Sequence, residues 1–177
     1  MKKINVKIFI KTAILSTISF FLTYVNISIF PNAPFLKLNF SDLPAIIATL
    51  TITPLIGFTI LFLKLILTLT FKSFNPISRL SSFILSCMFI LPLKGFKRKN
   101  NNNTLFLRLI LSSAHYTIAN VLYNYFIFLP LYGYNFKIRL HIVITCMLPF
   151  SLIKSMILST SALILYKYSL KIVNYKT

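Results

Sequence analysis

Long apolar runs, cut at intervals by Pro, Asn and Lys clusters, dominate the chain. Their lengths predict helices over residues 8–29, 43–55, 56–72, 77–94, 105–130 and 149–170. The second is short for a membrane span, so it must tilt unless Thr53-Pro54 is only a kink. Residues 138–148 read either as a further interfacial helix or as an extension of the last one. No internal repeat is visible, and the patch KRKNNNN at 97–103 reads as a solvated loop.

Composition turns this pattern into a membrane protein. The 177 residues are 57% hydrophobic and 11% charged, a mixture that a soluble domain of this size could not keep off its surface. A span needs ~20 mostly apolar residues, so the chain has room for a six-helix bundle and for nothing else. The expectation is an all-α integral membrane protein forming a single transmembrane domain over residues 1–177. The basic start MKKINVKIFIK resembles a secretory signal, but no small-residue cleavage site follows before Pro31, and the segment reads as a first retained helix. Cys87 and Cys146 lie in apolar stretches without metal-ligand spacing and read as buried thiols.

Charge then sets orientation. The formal net charge is +18, from 19 Lys and Arg against one acid, and the basic residues fall between apolar runs rather than in a patch with exposed aromatics, which argues against nucleic acid as a partner. With both termini inside, twelve of them, from Lys2 and Lys3 to Lys171 and Lys176, are cytoplasmic. Five are external: Lys37, Lys72, Arg79, Lys137 and Arg139. Lysine and arginine accumulate in cytoplasmic loops, so cytoplasmic termini are favoured.

Lys64 and Lys154 remain within the spans, and an intramembrane cation is a functional candidate by default. Lys154 lies about one turn into a helix expected to start at Pro149. Ser151 shares its face. On the preceding helix Tyr116, Asn120 and Asn124 recur every four residues, which places Asn124 and Lys154 at similar depth near the outer surface. Snorkelling of Lys154 and plain interhelical bonding of the asparagines are the structural alternatives. Together these groups form a donor-rich set suited to a neutral or anionic ligand with several acceptor oxygens.

The lone acid, Asp42, sits at the mouth of the second helix. There Ser41 or Asp42 can accept the free N–H groups of the first turn; a ligand contact or pairing with a loop cation such as Lys37 is the alternative. On the first helix Ala13 and Thr17 form a small-xxx-small pair, beside a hydroxyl face of Thr12, Ser16, Ser19 and Thr23, which allows close approach by an internal or separate helix. Three glycines cannot make a phosphate loop, one acid cannot make a carboxylate pair, and His115 and His141 lack partners at motif spacing. Enzymatic chemistry has little to work with, and no metal or cofactor is expected.

Four stretches, in order, carry a resemblance: FLKLNFSDLPAIIA from Phe35, TPLIGF with Lys64 on the helix after it, YNYFIFLPLYG from Tyr123, and LPFSLIKSMIL from Leu148. The chain resembles the substrate-binding S components of energy-coupling factor (ECF) vitamin transporters, of the riboflavin type. That resemblance implies a six-helix cell-membrane subunit that captures the vitamin from outside and delivers it to a transmembrane T component driven by two ATPase subunits. By matching positions it implies that Leu36, Lys37, Leu38 and Asn39 line or lid the site. Lys64, Asn124, Tyr125, Ser151 and Lys154 also fall in matching stretches, with Asn124 and Lys154 bonding flavin or ribityl oxygens. Phe35, Tyr125 and Phe126 would bury the ring, and Ala13 and Thr17 would dock the T component. The sequence departs from the family pattern at Ser151, where Asn is usual, at Leu65, at Thr17 and at Arg79, where an acid is common. A different vitamin or flavin precursor as cargo, or a non-transport structural role in the membrane, are the competing functions.

Overall fold

A computed structural model describes residues 6–28, 37–71, 76–95 and 102–174. The described chain is helical apart from one two-residue ladder. Helix α1 (Val6–Leu22) leads to β1 (Ile27–Ser28), which pairs antiparallel with β2 (Lys37–Leu38), Ile27 opposite Leu38 and Ser28 opposite Lys37. There follow α2 (Leu43–Thr51), α3 (Pro54–Phe71), α4 (Pro76–Ile90) with a 3-10 turn at Leu91–Gly95, α5 (Asn102–Tyr123), α6 (Leu129–Leu131), α7 (Phe136–Ile142) and α8 (Leu148–Asn174). Proline opens α3 and α4, where its missing N–H leaves nothing unpaired.

Pro130 and Pro149 do not start new helices. Each follows a five-residue π-helical segment, Asn124–Phe128 and Val143–Met147, that joins α5 to α6 and α7 to α8. A proline inside an α-helix collides with the carbonyl four residues back and cannot donate to it. Those carbonyls, of Phe126 and Thr145, lie within the widened turns, where the i→i+5 pattern accommodates the ring. The expected helix start at Pro149 is therefore replaced by a continuous helix, with 138–148 as its extension. Among the described residues four helices are long and apolar enough to cross a membrane: Pro54–Phe71, Pro76–Lys94, Asn103–Leu131 and Ile138–Tyr168.

Helix α1 ends at Leu22, short of the expected residue 29, and α2 ends at Thr51. Nine residues rise only about 14 Å, half of a hydrocarbon core, so α2 does not span alone. It is instead an internal plug: seven of its residues are buried, and it packs against α1, α3 and α8. The contact with α3 is close because Gly57 faces it. A Cβ at Gly57 would come within 2.9 Å of the Ala45 carbonyl oxygen and closer still to Thr49 Oγ1.

Helices α5 and α8 form the longest packed pair, and the core runs from them to α2 and α4 through Phe89 and Tyr116, whose rings meet edge to face at 6.1 Å. The outer face of the bundle is apolar, with Phe9, Leu55, Leu107 and Phe126 each at least 66% exposed. On a helix bundle of this composition such a surface is what lipid tails contact. His115 and His141 are exposed, and the two cysteines, expected to be buried, are half-buried.

Candidate functional site

Among the described residues two groups of buried polar side chains stand out inside this apolar bundle. The first is centred on Asp42, 3% exposed. Lys64 Nζ on α3 donates to Asp42 Oδ1 at 2.5 Å and lies 3.5 Å from Ser41 Oγ. Ser86 Oγ on α4 is 2.8 Å from the same carboxylate oxygen and 2.7 Å from the Ser82 carbonyl, so its single proton serves two acceptors. On the α1 side, the Ser19 hydroxyl donates to the Ser41 carbonyl, while Ser41 Oγ donates to Asn39 Oδ1 at 3.0 Å. One carboxylate thus ties α2 to α3 and α4, and its neighbouring serine ties the loop to α1.

This arrangement corrects the expected helix cap. Asp42 occupies the N-cap position with φ −87° and ψ −18° and makes no side-chain bond to the first turn. Capping side chains usually belong to residues in the extended region, from which the oxygen can reach back to the N2 or N3 amide. Here the backbone is already helical, and the carboxylate meets a buried ammonium from α3, a partner worth more in a low-dielectric interior than a backbone N–H. Lys64, expected to face a ligand, has its charge engaged by Asp42.

The second place is the α5–α8 face. Lys154 is 7% exposed, which excludes snorkelling to the surface, and its Nζ lies 5.6 Å from the centroid of the Tyr116 ring. It sits at the level of Tyr116, two turns or ~12 Å along α5 from Asn124, and not beside Asn124 as the expected helix start at Pro149 suggested. Its charge acts electrostatically on Asp42 through the α2–α8 packing. The chain has no second carboxylate to give it. Ser151, fully buried, donates to the Leu148 carbonyl at 2.9 Å and so keeps only its acceptor capacity for other groups.

Just past the C-terminal end of α5, Asn124 is half-buried and its Nδ2 bonds the Asn120 carbonyl at 2.7 Å and Asn120 Oδ1 at 2.6 Å. Tyr125 stacks edge-on against Phe126 at 5.0 Å and Phe136 at 6.0 Å, an aromatic group contributed by both helical hairpin arms. In the loop, Lys37 and Leu38 form β2, Leu38 is buried and Asn39 is half-buried; Leu36 and Phe35 lie outside the described residues. Ala13 and Thr17 are exposed on α1 and line an open groove of about 610 Å³ with the more buried Thr12 and Ser16 and with Ile56, Thr59 and Leu63 of α3, while Ser19 turns inward.

Comparison with known proteins bears on what these two places serve. Residues 7–166 match the family described as "ECF transporter, substrate-specific component". The chain belongs to this family. It is 31% identical over 176 residues to the riboflavin transporter RibU of Staphylococcus aureus, covering 94% of this chain and 93% of that protein. To the riboflavin transporter FmnP of Bacillus subtilis it is 32% identical over 167 residues, covering 88% and 87%. Its fold is similar to a solved structure described as "Structure and mechanism of the S component of a bacterial ECF transporter", with a TM-score of 0.81 at 30% identity over 94% of this chain and 97% of that one.

The relatives are transporter components and not enzymes. The two longest helices carry an ammonium, amides and aromatic rings along one another. Two residues of the first place were not singled out from sequence, Ser86 and, as a direct loop contact, Ser19. The sequence does carry a signal for Ser86: Ser82 and Ser86 stand one turn apart in an apolar helix, as do Tyr116 and Asn120.

Proposed function

We propose that this substrate-specific component captures riboflavin from outside the cell and presents it for uptake driven by partner subunits. The reading is supported by similarity over nearly the whole chain to proteins named riboflavin transporters. The α5–α8 geometry agrees with it: Lys154 is a donor, Asn124 Oδ1 and Ser151 Oγ are acceptors, and a flavin is a nearly neutral ring system with carbonyl acceptors and hydroxyl and imide N–H donors. Leu36 to Asn39 form the lid, Tyr125 and Phe126 pack on the ring, and Asn124 and Lys154 bond its oxygens. Ser151 adds an acceptor beside Lys154. Lys64 acts indirectly, by holding Asp42 and with it the root of the lid.

In this reading the whole chain is one transmembrane domain of six spans in a bacterial cytoplasmic membrane, with both termini in the cytoplasm. The Ala13–Thr17 groove docks the membrane-embedded T component, and two ATPase subunits supply the energy. The test is direct: purified in detergent, the chain quenches the fluorescence of added riboflavin at micromolar concentration. Absence of quenching rejects the proposal, and displacement by another vitamin in the same assay reassigns the cargo.

A further inference from the structure

We infer that a groove on the lipid-facing side of α4 and α5 is the contact surface for a second copy of this chain, joined across it by His115. The groove is open and about 360 Å³ in volume, with Ile84 and Met88 of α4 on one side and Ile118 and Leu122 of α5 on the other. Two of its lining residues are polar, Tyr123 and His115. Tyr123 Oη receives Ser81 Oγ at 2.7 Å. His115 is exposed and has no hydrogen-bond partner among the described residues. Its depth makes this costly. His115 lies on the apolar span Asn103–Leu131, which is about 43 Å long, and sits about 18 Å from its start. A hydrocarbon core of about 30 Å therefore includes it wherever along the span the core begins. There an imidazole gives up its bonds to water and gains none from lipid tails.

A second copy removes that cost with no other component. Copies inserted with the same orientation carry His115 to the same depth, so a two-fold axis along the membrane normal brings the two rings level. A neutral imidazole has one N–H donor and one acceptor nitrogen, so one ring donates to the other. The pairing is self-complementary, the α5 rim of each copy entering the groove of the other. Ile118 and Leu122 stand 61% and 51% exposed on that rim. No carboxylate of another copy can take the place of the second imidazole, because the chain's only acid is buried against Lys64. Lipid tails fit the groove by shape but offer the imidazole no partner. The Ala13–Thr17 groove shares none of these lining residues, so the pair leaves that face open.

The experiment labels the full chain at its C-terminus with donor or acceptor fluorophores, reconstitutes the mixture in phosphatidylcholine–phosphatidylglycerol vesicles over a range of protein-to-lipid ratios, and reads energy transfer. Transfer is expected to rise with the ratio and to saturate as for a dimer. His115→Leu is expected to weaken association by about 3- to 20-fold, the loss of one hydrogen bond between membrane helices, with the melting temperature in detergent unchanged. His115→Asn, whose amide both donates and accepts, is expected to retain it. A monomer at every ratio assigns the groove to lipid and overturns the inference, as does a dimer that His115→Leu leaves intact. Crosslinking gives a second reading that keeps His115 in place. With Cys87 and Cys146 replaced by serine, oxidation is expected to join two copies through Ile118→Cys and not through Thr59→Cys in the α1–α3 groove. A link through Thr59→Cys, or through neither, rejects the contact at α4 and α5.

Discussion

The two polar places in this bundle contain similar groups and use them in opposite ways. Around Asp42 the charges are matched: an ammonium at 2.5 Å and a hydroxyl at 2.8 Å both go to Oδ1 and the neighbouring serine backbone is tied to α1, while Oδ2 is buried without a partner among the described residues. On the α5–α8 face a lysine of similar burial lies against the Tyr116 ring and meets Asp42 only at longer range, with no carboxylate in hydrogen-bond contact. A buried charge whose partner is internal is part of the scaffold. One without a close carboxylate is a candidate to bond a ligand.

The largest effect is expected where the matching is broken. Asp42→Ala strands the Lys64 ammonium in the interior and should lower stability by about 3–5 kcal/mol, seen as a fall in melting temperature in detergent. The double change Asp42→Leu with Lys64→Met should restore most of that loss, since an apolar pair of similar volume is close to neutral. Equal melting temperatures for wild type and Asp42→Ala would mean that the ion pair does not hold the bundle.

Next in size is the opposite test on the other face. Lys154→Met should leave the melting temperature unchanged or higher, because it removes an uncompensated charge. It should also weaken riboflavin binding by roughly 10- to 100-fold, the loss of a charged hydrogen bond. A variant that melts earlier and binds normally would move Lys154 into the scaffold and erase the contrast. Asn124→Leu should cost a smaller factor, about tenfold, read by the same fluorescence titration. The smallest change, Ser19→Ala, removes only the loop's tie to α1. It should cost about 1 kcal/mol in stability, and hydrogen exchange at residues 39–42 would locate the loosening.

Much of this was legible in the sequence, and the residues that were misread share a cause. Apolar run length located α3, α4, α5 and α8, and four family-like stretches pointed to the S components. Proline misled at position 149, because one residue type both starts helices and sits behind a π turn, and only the neighbouring backbone distinguishes the two. The reading of Asp42 as a cap failed for a related reason. Cap propensity describes an isolated helix end, whereas here a cation from α3, 22 residues away, competes for the oxygen and wins.

By itself the sequence determined that the chain is a membrane helix bundle, because apolar length and charge scarcity are additive along the chain and do not depend on how the helices turn. It also determined that one carboxylate would have to serve several cations. Which cation receives it was decided only in three dimensions. On paper the candidates were a loop cation such as Lys37 and the two lysines within the spans, Lys64 and Lys154. The packing of α3 on α2, with its close approach at Gly57, brings Lys64 against Asp42 and leaves Lys154 to act on it only at longer range.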